Sequence, residues 1–128
     1  MVLPQSMRLK GYRCFDYLHK EATRYHGSFM LLRVVDAKPN LLISHQRKIS
    51  KSSIRCCISI SNKVSKKSVI RNNIRRRFHE HLRLRLEKRM ASKERWAFLS
   101  LKPTSIKEHP STLLKECDKL LFKAGLIS

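Results

Sequence analysis

The alternation of apolar and polar residues is most regular between Ile54 and Ser61. The apolar positions there are Ile54, Cys56, Ile58 and Ile60, and the positions between them are Arg55, Cys57, Ser59 and Ser61. Because successive side chains of a strand point to opposite faces, this period of two predicts a strand. One face of that strand is apolar, whereas the other is small, polar and open to a ligand.

Apolar residues at helical spacing predict three helices. The first spans residues 12–26 and ends at Gly27, with an apolar face of Phe15, Leu18, Ala22 and Tyr25. The second runs from Lys67 to about Met90, with a stripe of Ile70, Ile74, Phe78 and Leu82. The third begins at Pro110 and ends at Gly125, with an inner face of Leu113, Leu114, Cys117, Leu120 and Leu121.

The remaining apolar segments complete a sheet. Residues 28–36 and 96–101 predict strands, and residues 41–43 are either the end of a strand or a loop. The resulting order is αβββαβα, which places this chain in the α+β class as a two-layer α/β sandwich with its helices on one side. The helix between residues 54–61 and 96–101 makes a βαβ unit, for which a right-handed crossover is the default.

The charge of the chain indicates which kind of partner it binds. Among 128 residues, 29 are Lys or Arg and 9 are Asp or Glu, which gives a formal net charge of +20. So large an excess favours a polyanionic partner, nucleic acid first and an anionic membrane surface second. The length fits one domain at residues 11–128 after a basic arm at residues 1–10. No stretch approaches the ~20 apolar residues of a membrane span, and no secretory signal is expected.

The cysteines indicate a reduced protein. Cys56 and Cys57 are adjacent, and no C-x-x-C spacing joins them to Cys14 or Cys117. We therefore expect buried thiols in a cytosolic protein, with no zinc ribbon or redox motif.

Cations dominate one flank of the second predicted helix. Arg71 and Arg75 share a stripe, Asn72 and Arg76 extend it, and no acidic residue lies one turn away from Arg71 or Arg75 to pair with them. A solvated helix face is the alternative interpretation, but unpaired cations at this spacing repel each other. Arginine also matches phosphate with two parallel hydrogen bonds. The pattern favours a phosphate-binding surface.

Two aromatic residues have two possible roles each. Phe15 lies on the apolar face of the first helix and Phe29 in the first predicted strand. Either ring packs in the core or stacks an unpaired base beside the cationic surface.

The residues do not favour catalysis by the protein alone. His79 and His81 are two apart, which points their rings in different directions on a helix, so no metal site is expected. We find no nucleophile arrangement, no carboxylate pair and no Gly-rich phosphate loop, and therefore no catalytic residue.

The segment around these cations resembles one family. Arg71-Asn72-Asn73-Ile74-Arg75-Arg76 resembles the R-N-R-x-K-R helix signature of the protein subunit of bacterial ribonuclease P, and residues 58–64 resemble the strand and basic turn that precede it. Residues 8–15 and 28–31 resemble the family's opening segment, first helix and first strand. The chain departs from the pattern at Asn62, Asn73 and His79.

The resemblance implies a fold and a function. It implies a left-handed βαβ crossover, against the default. It implies binding to the ribonuclease P RNA through Lys63, Lys66, Lys67, Arg71, Asn72, Arg75 and Arg76. It also implies that a cleft with Phe15 and Phe29 holds the 5′ leader of precursor tRNA. The RNA and its Mg²⁺ would perform the cleavage in the cytoplasm, without a cofactor on the protein or a further protein partner.

Two rival functions remain open from the residues alone. One is a structural RNA-binding protein of the ribosomal type, which the composition fits equally well. The other is a DNA-binding module whose long helix enters a major groove, although no helix-turn-helix precedes that helix.

Overall fold

A computed structural model describes residues 7–9, 12–38, 54–86 and 94–127. Within them the elements are α1 (Tyr12–Glu21), β1 (Thr23–His26), β2 (Met30–Asp36), β3 (Ile54–Ser59), α2 (Ser68–Leu86), β4 (Arg95–Leu101), a 3₁₀ helix (Pro103–Lys107) and α3 (Pro110–Lys123). The α+β class is confirmed. The exact predicted order stays untested: the strand predicted at residues 41–43 lies outside the described residues, and β1 is a strand that the sequence does not predict.

The prediction of one helix over residues 12–26 is wrong in its second half. The helix ends at Glu21, and β1 pairs antiparallel with β2, from Thr23 opposite Val34 to His26 opposite Leu31. These backbone hydrogen bonds outweigh the helical spacing of Ala22 and Tyr25. Gly27 closes the hairpin, since its N–H donates to the carbonyl of Met30 at 2.8 Å.

The hairpin turn between β1 and β2 lies close to α3. The N–H of Phe29 donates to Oε1 of Glu116 at 2.8 Å. A Cβ atom at Gly27 would push the same carboxylate aside, so a larger residue there would disturb this hydrogen bond. The turn between β1 and β2 is therefore fixed to the last helix.

The four strands form one mixed sheet in the order β1-β2-β4-β3. β2 runs antiparallel to β1 and β4, whereas β3 runs parallel to β4. The connection from β3 through α2 to β4 is the predicted βαβ unit. The left hand of this crossover stays a prediction.

The larger hydrophobic core lies between one face of the sheet and helices α2 and α3. The alternating apolar residues of β3 are buried there, as predicted, with the inner residues of both helices. These helix residues are Phe78, Leu82, Leu86, Leu113, Cys117, Leu120 and Leu121.

A smaller core covers the opposite face, which corrects the expectation that all helices lie on one side. α1 packs Cys14 and Leu18 there, against Val35 of β2 and both Trp96 and Phe98 of β4. The two-layer description fits α2 and α3, while α1 forms a partial third layer. Because α1 has only ten residues, part of this sheet face remains uncovered.

Residues 7–9 pack onto the fold. Met7 is buried in the larger core and Leu9 in the smaller one. Arg8 forms an isolated bridge with Cys56, and the N–H of Leu9 donates to the carbonyl of Cys56 at 3.2 Å. The predicted basic arm therefore includes residues that are bound to the edge of β3. Its residues 1–6 and 10 lie outside the described residues.

Candidate nucleic-acid interface

The turn between β3 and α2 holds its lysines on a fixed backbone. Ser61 Oγ accepts a hydrogen bond from the N–H of Lys63, and Ser65 Oγ accepts one from the N–H of Lys67, both at 3.2 Å. Val64 is buried in the core between them. We call residues 61–67 the basic turn; its lysines Lys63, Lys66 and Lys67 are exposed.

Arg71 links the basic turn to the first turns of α2. Its NH1 atom donates to the carbonyl of Ser65 at 2.8 Å, which leaves the rest of the guanidinium for a ligand. One turn on, NH1 of Arg75 donates to Oδ1 of Asn72 at 2.7 Å. Each arginine is thus oriented by a neutral oxygen rather than by a carboxylate.

We call Arg71, Arg75 and Arg76 the cationic ridge. Arg71 and Arg75 are half-buried and Arg76 is exposed. Within the described part of the chain, no ion pair joins any of the three to an acidic side chain. RNA binding by the ridge, Asn72 and the three lysines stays a prediction that this geometry favours.

The ridge lies beside the second face of β3. Arg75 acts electrostatically on the thiol of Cys57, whose pKa is nevertheless raised because burial outweighs the cation. The ridge and the small polar face of β3, with Cys57 and Ser59, are therefore neighbours.

The sheet face that carries Cys57 and Ser59 continues across β4 towards α1, which packs on this side of the sheet. Phe15 and His19 both meet Phe98 edge to face, with ring centroids 5.6 Å and 5.5 Å apart. Phe98 lies opposite Cys57 on β3 and Arg33 on β2. We call this surface the α1 cleft, and its further residue is Ser100.

Two arginines give the α1 cleft a positive wall. Arg33 pairs across the sheet with Arg24, and its NH1 reaches Oγ of Ser100 at 3.5 Å. Burial, and then the charge of Arg24, lower the pKa of Arg33, and its Nε has no hydrogen-bond partner among the described residues. Like charges opposite each other in a sheet are destabilising, so an anion in the cleft would relieve this pair.

The predicted leader-binding residues do not lie together. Phe15 packs on the smaller core and lines the α1 cleft, whereas Phe29 packs on the larger core across the sheet. The backbone of Phe29 is also held on both sides, by Glu116 and by the N–H of Lys102. The two rings therefore pack on different cores, and a contact of either Phe15 or Phe29 with the leader stays a prediction.

The sequence reasoning missed Arg33, Arg24 and His19 in the α1 cleft. Arg33 is the one charged residue inside the apolar run Met30–Val35, which was a usable signal. Arg24 and His19 gave none, because the boundary between α1 and β1 was misplaced.

The histidines of α2 have separate environments. Nε2 of His81 lies 2.7 Å from Oδ1 of Asp118 on α3, and Arg85 reaches the other oxygen of that carboxylate at 3.1 Å. Nδ1 of His79 is buried and has no hydrogen-bond partner among the described residues. The described residues include no group of three His, Cys, Asp or Glu side chains placed to hold a metal ion.

The four thiols are free, as expected, and three are buried. Burial raises the pKa of Cys56 and of Cys117 to about 12. These two thiols are therefore packing residues rather than nucleophiles.

We expect His79 to make stability fall in acid. Burial lowers its pKa below 6.5, and Arg75 and Arg8 lower it further. Below about pH 6.5 the unfolded chain therefore binds more protons than the folded one. The contribution of neutral His79 to the free energy of unfolding is fully present above about pH 6.5. It is lost as the pH falls through the pKa that His79 has in the folded state. Urea unfolding at pH 7.5 and pH 5.5 measures this effect. Between the two pH values, the free energy of unfolding should decrease less in His79→Gln than in the parent protein.

The exposed His26 supplies the control for this experiment. His26→Gln measures what the replacement of an exposed histidine by glutamine does by itself in the same comparison. Equal losses in the parent and in His79→Gln would show that His79 titrates normally in the folded protein.

No helix among the described residues is long and apolar enough to cross a membrane.

Comparisons with known proteins agree on one family. The family model described as Ribonuclease P matches residues 3–125. A protein of Prochlorococcus marinus (strain NATL1A) named "Ribonuclease P protein component" is 59% identical over 126 residues, which cover 98% of each chain. A protein of the same name from strain MIT 9303 is 50% identical over 128 residues, the full length of both.

Two solved structures share the fold. The RNase P protein of Staphylococcus aureus aligns with a TM-score of 0.75 at 15% identity, covering 95% of this chain and 98% of the other. That of Thermotoga maritima aligns with a TM-score of 0.68 at 16% identity, covering 91% and 96%.

Proposed function

Because the chain belongs to the ribonuclease P protein family, we propose that, as a subunit of the ribonuclease P holoenzyme, it uses two adjoining surfaces. The cationic ridge and the basic turn bind the RNA subunit. The α1 cleft holds the 5′ leader of precursor tRNA. Together they promote maturation of the tRNA 5′ end.

The observation that carries this proposal is that the cationic ridge forms no ion pair with any acidic side chain that the structure describes. Arg71 and Arg75 are each oriented by a neutral oxygen, 2.8 Å and 2.7 Å away, so no carboxylate of the described residues neutralises their charge. A phosphate oxygen is the stronger acceptor for a guanidinium. Binding there releases counterions from the RNA, which makes the affinity depend on salt.

The α1 cleft supplies what a single strand needs. The exposed face of an aromatic ring stacks a base, worth roughly 1–3 kcal/mol per base. Phe15 is held edge-on against Phe98, so its position is set before the leader binds. Arg33 and Arg24 stand on the opposite wall for a phosphate. A base and its phosphate are thereby held at two sides of one cleft.

We assign the chemistry to the RNA subunit and its Mg²⁺. The described residues gather no carboxylate cluster of the kind that two-metal nucleases use. The work of this chain is to position the leader and to screen phosphate repulsion between the two RNAs, so that fewer free cations are needed. The proposal places this work in the cytoplasm and requires no further protein partner.

The deciding experiment mixes the purified protein with a bacterial ribonuclease P RNA at low Mg²⁺ and follows release of the 5′ leader from precursor tRNA. We expect cleavage to be stimulated, and the protein alone to release nothing. Tight RNA binding without stimulation would instead favour a structural RNA-binding protein.

Phe15→Ala should weaken binding of precursor tRNA to the holoenzyme by about 5- to 100-fold, the equivalent of one lost stack. Binding of the RNA subunit should change little, because Phe15 is an uncharged residue of α1, whereas the ridge that binds the RNA lies on α2. Both affinities are measured by titration at one salt concentration.

Tyr12→Ala is the matched control, since Tyr12 is an aromatic residue of the same helix, whereas the rings that meet Phe98 in the α1 cleft are those of Phe15 and His19. It should leave both affinities unchanged. An equal loss of both affinities in Phe15→Ala would mean that Phe15 only supports the core.

A further inference from the structure

A cavity opens on the side of α2 that faces away from the α1 cleft. It has a volume of about 270 Å³ and lies between α2, the 3₁₀ helix and the start of α3. Cavities of about 300–1,000 Å³ hold drug-sized ligands, so this one is suited to a single ring system. We call it the α2–α3 cavity.

The walls of the cavity are apolar. They are formed by Ile70, Ile74, Phe78, Ile106, Leu113 and Leu114. Ile106 is 40% exposed, which is a large exposure for an isoleucine and brings an apolar surface to solvent. A flat, apolar group that enters this cavity removes its apolar surface from water, which favours binding.

A few polar groups line the same cavity. Asn73 and Arg77 come from α2, and Glu108 follows the 3₁₀ helix. Both α2 residues are exposed, and no hydrogen bond or ion pair within the described residues occupies them. An amide, a guanidinium and a carboxylate offer donors and acceptors to the edge of a heterocycle.

The cavity and the cationic ridge flank the same turns of α2. Asn73 and Arg77 directly follow Asn72 and Arg76 in the chain, and an α-helix with its side chains is only about 10–12 Å across. An RNA backbone bound along Arg75 and Arg76 therefore passes within one nucleotide's reach of the opening.

We propose that the α2–α3 cavity takes one unpaired base of the RNA subunit. The inference rests on the proposed function and adds a second kind of contact to it, base insertion beside phosphate binding. Asn73 pairs with the edge of the base, as an asparagine amide does with adenine, and Arg77 holds the adjoining phosphate.

The charge of the chain decides between possible occupants. A second copy would bring another +20 charges to a face that already carries Arg76 and Arg77. RNA brings a polyanion and, with it, bases whose faces are apolar. The cavity has the size of one ring system, and the ridge beside it is suited to phosphate. The two together match the bases and the phosphates of RNA.

A photo-crosslinking benzoylphenylalanine placed at Ile106 tests the site directly, with the same group at Phe122 as the control. Phe122 is 63% exposed and does not line the cavity. In the reconstituted complex with ribonuclease P RNA, position 106 should crosslink to one unpaired nucleotide and position 122 to none. Absence of an RNA crosslink at 106, or equal crosslinking from both positions, overturns the proposal.

Filling the cavity gives an independent measurement. Leu114→Trp should weaken binding of the RNA subunit by about 5- to 100-fold. Its salt dependence should be unchanged, because no phosphate contact is removed. Asn73→Ala, at an exposed position that does not threaten folding, should lose affinity in the same way but less.

The two hypotheses fail differently. If the parent protein does not bind the RNA at all, the proposed function falls. If the parent binds, but both Leu114→Trp and Asn73→Ala bind with unchanged affinity, only the base site falls.

Discussion

Arg71→Ala is expected to weaken binding of the ribonuclease P RNA by about 10- to 100-fold, the equivalent of a hydrogen bond to a charged group. The substitution removes a phosphate contact and also the bond from Arg71 to the carbonyl of Ser65. Without that bond the basic turn keeps the backbone bond from Arg71 to Lys67 but loses this side-chain link to α2, so Lys63, Lys66 and Lys67 are less well positioned. The loss should therefore exceed that of Arg75→Ala.

Salt titration distinguishes these contributions. For each lost phosphate contact the slope of log affinity against log salt should decrease by about 0.7–0.9. Arg71→Ala should decrease this slope by more than the loss of one phosphate contact would. Arg75→Ala should decrease it by about the amount expected for one lost contact. Lys115→Ala, an exposed cation on α3, is the control and should leave the slope nearly unchanged. Unchanged slopes in both arginine variants would remove the ridge from the RNA interface.

Trp96→Ala should lower the free energy of unfolding by about 3–5 kcal/mol. Trp96 is 1% exposed, lies in β4 between β2 and β3, and meets Tyr17 edge to face at 6.0 Å. Removing it leaves a cavity under α1 that the two neighbouring strands cannot fill. Because domains have only about 5–15 kcal/mol of stability, much of the margin would be lost.

Urea unfolding of the parent, Trp96→Ala and Val69→Ala measures this effect. Val69 lies in α2 but is 70% exposed, so its replacement should change stability by less than about 0.5 kcal/mol. A loss below 1 kcal/mol in Trp96→Ala would show that α1 contributes little to the fold.

The elements that the sequence predicts best are those with internally consistent patterns. In β3 all the apolar residues of the alternation are buried, although Arg55 between them is buried as well. In α2 the four-residue repeat faces the core at Ile74, Phe78 and Leu82. The position of the cationic ridge can also be predicted, because the buried stripe of a helix determines which residues lie on its other faces.

The α1 side of the sheet could not be derived in the same way. Ala22 and Tyr25 fit helical spacing, yet pairing of β1 with β2 decides their structure, and pairing depends on residues far along the chain. The opposite placement of Phe15 and Phe29 could not be derived either. Phe29 precedes β2, and its backbone is held by Glu116 and Lys102, which lie far along the chain.

The bridge between Arg8 and Cys56 also affects how copies of this chain avoid one another. β1 and β3 are the outer strands of the sheet, and unpaired strand edges are templates for aggregation. Residues 7–9 occupy part of the β3 edge, while β1 is only four residues long and carries Arg24 and His26. A chain shortened past Leu9 would present a bare apolar strand edge, so solubility as well as stability depends on this short N-terminal segment.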